Sequence, residues 1–164
     1  MVVVSQLQFG DYLNKPCYAP AAAQLPRPLT LATKLRRGDF DILIIHSQYG
    51  LMVGEIKSVG ANMADLNLTP EKQEAVLRKK LGQAVSQLDK AETVLRHVVS
   101  DLVTALTIRK TVMLPHITSG QLLQVLKDSS TDGQALARAF RACLGATTGR
   151  GGCELQFVRR PAVL

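Results

Sequence analysis

In GDFDILIIHSQYGLMVGEIKSVG, residues 38–60, three charged side chains stand inside apolar runs: Asp41, Glu55 and Lys57. Charges inside a core strand are costly unless they are paired or bound to a metal. FDILIIH (40–46) and LMVGEIK (51–57) read as strands, with SQYG (47–50) turning the chain between them. Such strands run antiparallel, so Asp41 falls opposite residues 55 to 57, and cross-strand partners lie about 5 Å apart. Two carboxylates so placed can share a hard divalent cation. Mg²⁺ takes oxygen ligands, commonly one or two carboxylates completed by water and substrate phosphate. The backbone carbonyl of Ile56 is expected to add another oxygen. Leu51, Val53, Glu55 and Lys57 share one strand face, because side chains alternate with period two. Lys57 can therefore hold an attacking water or stabilise charge building on a phosphate. Without a cation the two acids raise each other's proton affinity, and Lys57 opposes this. The simpler alternative is an edge hairpin with a solvated face.

Asp39 competes with Asp41 for the acid position. Asp39 belongs to RRGD and reads as a turn residue. Asp41 shares its strand parity with Leu43 and Ile45, which puts it at the rim of a covered face. His46, His97 and His116 stand beside no nucleophile pattern and read as structural or surface residues. Cys17, Cys143 and Cys153 are odd in number and widely spaced, with no CxxC or Cys/His zinc pattern. Free thiols fit a reduced intracellular compartment, cytoplasmic or nuclear.

The elements that must position these residues belong to one domain, residues 1–164. Trp is absent and aromatics are 4%, so the core rests on Leu, Val, Ile and Ala. The same scarcity argues against single-strand binders that stack bases on exposed aromatic rings. Net charge is +7 and the pI about 9.6, which fits a polyanionic partner such as nucleic acid or an acidic membrane surface. MVVVSQLQFG lacks the basic start and apolar run of a signal peptide. No stretch approaches the roughly 18 apolar residues of a membrane span, so no membrane is expected.

Residues 1–15 carry a weak apolar pattern (Val3, Val4, Leu7) that suits a short helix or a strand. The proline-rich stretch 16–28 reads as an extended connector. PLTLATKL (28–35) alternates as a strand ahead of the hairpin. After a loop over 58–68, Thr69-Pro70-Glu71 opens a helix with a cap residue, a proline at the first helical position and an acid at the positive end of the dipole. That helix is expected to run to about residue 103. Its apolar stripe, Leu77, Leu81, Ala84, Leu88, Ala91, Leu95, Val98 and Leu102, suits a helix lying on a sheet and also a coiled-coil homodimer seam. TIRKTVMLP (107–115) reads as a fourth sheet strand, 119–128 and 131–145 as two helices, the second closed by Gly145, and 153–161 as a final strand. The class is α/β: a mixed four-stranded sheet made of a three-strand meander, a long helix and a fourth strand, with additional C-terminal helices.

The arrangement D-x13-E-x-K, with the Asp heading one apolar strand and ExK on its hairpin partner, resembles the PD-(D/E)xK nuclease superfamily. Its members include restriction enzymes, Holliday-junction resolvases, RecB-like nucleases and nuclease-related domains. The phrasing GDFDILII…GEIK is most similar to the resolvase and nuclease-related branches. The resemblance implies a restriction-endonuclease-like core: a helix, three meandering strands, a helix and a fourth strand. Residues 29–115 match its later part, and 119–164 form a helical extension. It implies a Mg²⁺- or Mn²⁺-dependent nuclease, with DNA favoured over RNA and endonucleolytic cutting favoured. By position, Asp41 and Glu55 become metal ligands and Lys57 the catalytic lysine. Many members place a Gln or Lys on the following helix, where this chain offers Lys80, Gln83 and Gln87. Gln83 and Gln87 are four apart and stack on one helical flank, and either is expected to support the site. The RecB-type QxxxY pattern is missing, because Ala91 follows Gln87 at that spacing. In such a fold Arg36, Arg37, Lys79 and Lys80 flank the site and grip phosphates. The alternatives are an inactive nuclease-fold module that binds nucleic acid or assembles a larger protein, and a scaffold that dimerises through residues 77–102.

Overall fold

A computed structural model of the chain describes residues 1–17, 20, 23–25, 37–59, 68–102 and 106–144. The elements in chain order are β1 (Val2–Gln8), α1 (Phe9–Leu13), β2 (Asp39–His46), β3 (Gly50–Ile56), α2 (Pro70–Val98), β4 (Ile108–Met113), α3 (Ser119–Lys127) and α4 (Thr131–Cys143). The strands form one mixed sheet in the order β1-β2-β3-β4. β1 and β2 are antiparallel, as are β2 and β3. β4 returns parallel to β3 after the α2 crossover.

The hairpin stands where the sequence places it. His46 Nδ1 accepts hydrogen bonds from the amides of Gln48 (3.1 Å) and Tyr49 (3.3 Å), so His46 braces the turn. Gly50 leaves that turn at φ +79, and a Cβ there would meet the Thr107 carbonyl oxygen at 2.5 Å. The tight approach lets the Leu51 amide donate to Thr107 (3.0 Å) where β4 begins.

The strand that pairs with β2 opposite β3 is Val2–Gln8. The expected strand at 28–35 lies outside the described residues, as do Arg36, Gly145 and the expected strand at 153–161. β1 gives a poor strand signal because its inward residues, Val4 and Leu7, are three apart. Gln6 explains the break: at φ +54 it lies in the left-handed region, between the pairs Ser5–Ile42 and Leu7–Phe40. The short helix α1 therefore follows the first strand, where the resemblance implies a helix ahead of the meander.

α2 covers the face of the sheet that carries Leu43, Leu51 and Val53. Its stripe of Leu77, Leu81, Ala84, Leu88, Ala91 and Leu95 is buried, with Leu81, Ala84 and Leu88 fully enclosed at 0% exposure. Phe140 and Cys143 of α4 and Leu122 and Val125 of α3 close the layer outside it. The helix ends at Val98, five residues before the expected end, where Val98, Val99, Ser100 and Asp101 offer poor helix formers. Leu102 consequently lies beyond the stripe and is exposed. Thr69 sits at the N-cap position in extended backbone, but its side chain makes no capping bond.

The heptad-like spacing is thus spent within one chain. Its residues from Leu77 to Leu95 pack on the protein's own sheet and helices, which corrects the coiled-coil reading of this seam.

A charged cluster ties β4 to α2. Lys110 Nζ lies 2.9 Å from Asp89 Oδ1 and 2.5 Å from Glu92 Oε2, and Glu92 also meets Arg96 at 2.6 Å. Burial works against the Lys110 charge, yet its bonds to Asp89 and Glu92 raise its pKa. Burial likewise works against Glu92, and Lys110 and Arg96 nevertheless lower its pKa below 4.5. Lys110→Ala is expected to cost about 2 kcal/mol at pH 7, typical of lost bonds to charged partners. The sign with pH follows from Glu92. A lowered carboxylate pKa stabilises above the ordinary 4.5 and loses that effect as pH falls through the folded value. The penalty of Lys110→Ala should therefore shrink below pH 4.5, as urea titrations at pH 7 and pH 3.5 will measure. An equal penalty at both pH values would remove the cluster from the stability account.

No helix among the described residues is long and apolar enough to cross a membrane.

Candidate active site

The site grows from the open end of the β2–β3 hairpin. Ile42 pairs with Gly54, and Asp41 and Glu55 are the next residues outward, sharing the strand parity of Leu43 and Val53 on the face that α2 covers. Asp41 does not continue the ladder with its backbone alone. Its Oδ2 accepts a hydrogen bond from the Ile56 amide at 2.8 Å. On the far side of β3, the Lys57 amide donates to the Met113 carbonyl at 3.0 Å. The strand end that carries Glu55 and Lys57 is thus fixed from both neighbours. Because a strand residue points its N–H and C=O the same way, the Ile56 carbonyl also faces the Asp41 side.

Glu55 is buried at 3% exposure, an unusual place for a carboxylate. Lys57 Nζ compensates it at 2.5 Å from Oε1. The same ammonium donates to Gln87 Oε1, also at 2.5 Å, so α2 holds the lysine from above. Burial is the largest influence on Glu55 and raises its pKa above 4.5. Lys57 pulls the other way through its hydrogen bond and charge, and Asp41 and Asp39 add to the rise.

Glu55, Lys57 and Gln87 therefore come together as a contact group, with Asp41 near them, bonded to the Ile56 amide. Gln83, the other candidate glutamine, is exposed one turn earlier and makes no such contact. Lys80 is half-buried and Lys79 exposed, seven and eight residues before Gln87, which is about 10–12 Å along the helix axis. They lie away from the Lys57 ammonium. Arg37 is exposed beside the start of β2. Asp39 is not a turn residue. It belongs to β2 opposite Gln8, on the same face as Asp41, and its Oδ2 accepts from Gln8 Nε2 at 3.4 Å. The signal was present in its parity with Asp41, which the preceding glycine obscured.

A cation would find hard oxygen donors here. Asp41 Oδ1 and Glu55 Oε2 have no hydrogen-bond partner among the described residues, while the second oxygen of each carboxylate is anchored. Among those residues no group of three His, Cys, Asp or Glu side chains is close enough to hold a metal. Two carboxylates must therefore leave the remaining positions to water, backbone and substrate, a donor set that suits Mg²⁺ or Mn²⁺ and not a closed structural zinc site. Burial pushes the Cys143 thiol up to about 11, against thiolate chemistry at neutral pH. His97 is buried in α2 and His116 is exposed after β4.

Compared with family models, with curated proteins and with solved structures, the chain matches none of them.

Proposed function

We propose that this chain is a metal-dependent nuclease that hydrolyses phosphodiester bonds, using Mg²⁺ or Mn²⁺, with DNA favoured over RNA and endonucleolytic cutting favoured. One observation carries the reading: the Lys57 ammonium is held between a buried Glu55 and Gln87, beside Asp41 on the adjoining strand. The meander, the long helix and the parallel fourth strand occur in the order that the D-x13-E-x-K resemblance implies. The net charge of +7 suits a polyanionic substrate.

In this reading Asp41 and Glu55 hold the cation, with the Ile56 carbonyl on the same side. The cation, when bound, supplies charge neutralisation for the phosphate and lowers the pKa of the attacking water. Lys57 donates to an oxygen on which negative charge builds, or keeps the water in line. Its bond to Gln87 limits the rotamers it can adopt, so Gln87 is a positioning residue. Gln87→Ala is expected to lower kcat by about 10- to 100-fold with KM little changed, the usual range for partners that orient a working group. Gln83→Ala should leave both constants alone. Equal losses in the two variants would deny Gln87 its special role.

The deciding assay uses labelled single-stranded, duplex and branched DNA and RNA, each with Mg²⁺, Mn²⁺ or EDTA. Cutting with either metal and none in EDTA is the expected result. Binding without cutting on every substrate would replace the enzyme with an inactive binding module on the same scaffold.

A further inference from the structure

An open cleft of about 580 Å³ lies at the end of the sheet, lined by Gln8, Asp11, Asn14, Lys15, Arg37 and Gly38 among others. Its volume lies within the range of small-molecule pockets, enough for a nucleotide. The cleft borders the start of β2, the strand that carries Asp41. Gly38 directly precedes Asp39, and the cleft residue Gln8 donates to the Asp39 carboxylate. Asp41 stands two strand residues beyond Asp39, about 7 Å at roughly 3.3 Å per residue.

Lys90 of α2 comes to the edge of this cleft from above. It follows Gln87 by three residues and so shares its helical flank. A Cβ at Gly38 would lie 3.4 Å from Lys90 Nζ and 3.0 Å from Phe9 Cε2. Gly38, at φ +136, leaves that space open. Lys90 is half-buried, and its ammonium makes no hydrogen bond or ion pair among the described residues. The lysines nearest to it in role are committed: Lys57 to Glu55 and Gln87, Lys110 to Asp89 and Glu92. A partly desolvated cation without a counter-charge gains from an anionic ligand.

We propose that this cleft seats an unpaired nucleic-acid strand next to the scissile phosphate, with Lys90, Arg37 and Lys15 on its phosphates and Gln8, Asn14 and Asp11 on a base edge. The proposal rests on the nuclease reading and narrows its substrate to one with a single-stranded segment. Phosphate contacts set position and affinity, whereas the amides and the carboxylate offer both acceptors and donors to an unpaired base. Asp11 is the one acid in the lining, and its charge disfavours a phosphate directly beside it. The base, not the backbone, belongs on its side of the cleft.

The test measures binding of fluorescent single-stranded and duplex oligonucleotides by anisotropy in EDTA, over a range of salt. It compares the wild type with Lys90→Gln, Arg37→Gln and Lys15→Gln, singly and together, and with Arg138→Gln/Arg141→Gln on the exposed side of α4. Circular dichroism melts verify the fold of each. The wild type is expected to prefer the single strand. The triple variant should lose at least tenfold in affinity, and its salt slope should fall by about 2, near 0.7 for each of three phosphate contacts. The α4 control should bind as the wild type does. Unchanged binding in the triple variant, an equal loss in the control, or a wild-type preference for duplex overturns the cleft. Metal-dependent cleavage by the same proteins separates the two readings. A wild type that cuts beside a triple variant that still binds sinks the cleft alone. A wild type that never cuts, beside a triple variant that loses binding, sinks the nuclease and retains the cleft.

Discussion

Glu55→Gln is expected to abolish metal-dependent cleavage, by about 10³-fold or more, while leaving the fold intact at neutral pH. Loss of one preorganised group at a charged reaction centre commonly costs about 10²- to 10³-fold, and Glu55 is asked both to bind the cation and to anchor Lys57. The stability side follows from its burial. Its pKa is raised above 4.5, by burial first, with Lys57 opposing and Asp41 and Asp39 assisting. A carboxyl group whose folded pKa is raised stabilises the protein below its unfolded value and loses that effect as pH rises through the folded value. At pH 7 the wild type therefore carries a cost that the amide does not. Gln keeps the shape and an acceptor for Lys57, so stability at pH 7 should be retained within about 1 kcal/mol or improve. The wild type should gain on the variant as the solution is acidified toward 4.5. Thermal melts across pH check this without any substrate. The same melts with Mg²⁺ or Mn²⁺ supply a second readout: the wild-type midpoint should rise with metal and the variant's should not. A variant that cuts, or one that gains the same metal stabilisation, removes Glu55 from the site.

The parts of this arrangement that were legible in sequence are those where a local pattern and its tertiary use coincide. FDILIIH and LMVGEIK are apolar runs on either side of a polar turn, and their parity alone puts Glu55 and Lys57 on one face. Thr69-Pro70-Glu71 announced α2 through backbone chemistry alone. β1 was harder to read because Gln6 breaks its alternation, so its partnership with β2 depends on contacts more than thirty residues away. Asp39 was hidden by its neighbours: RRGD has turn composition, yet the strand already begins at Asp39. The choice between Gln83 and Gln87, which share a flank, needed the position of α2 along its axis over the sheet, one turn being about 5.4 Å, which spacing does not supply. Lys90 carries no distinguishing signal in the sequence, since only the approach of α2 to Gly38 sets it apart from the other basic residues of that helix.

The apolar stripe of α2 decides the second large effect, because one spacing served two readings with opposite consequences. A dimer seam exposes its residues in the monomer and gains stability with concentration. A core stripe is covered already. Leu88 is 0% exposed, beneath neighbours from the sheet and the C-terminal helices. Leu88→Ala should therefore cost about 2–5 kcal/mol, the transfer term plus the cavity left in a site that cannot fully collapse. Against a total of about 5–15 kcal/mol for a domain, that is a large fraction. Val76, on the same helix but 38% exposed, provides the contrast: Val76→Ala should stay within about 0.5 kcal/mol. Urea unfolding at two protein concentrations, with light scattering on the native proteins, separates the mechanisms. A core role predicts an earlier midpoint for Leu88→Ala, the same at both concentrations, and a native mass equal to the wild type's. A native mass that halves in Leu88→Ala, with a midpoint that moves with concentration in the wild type, would return the stripe to an intermolecular interface and require α2 to leave the sheet.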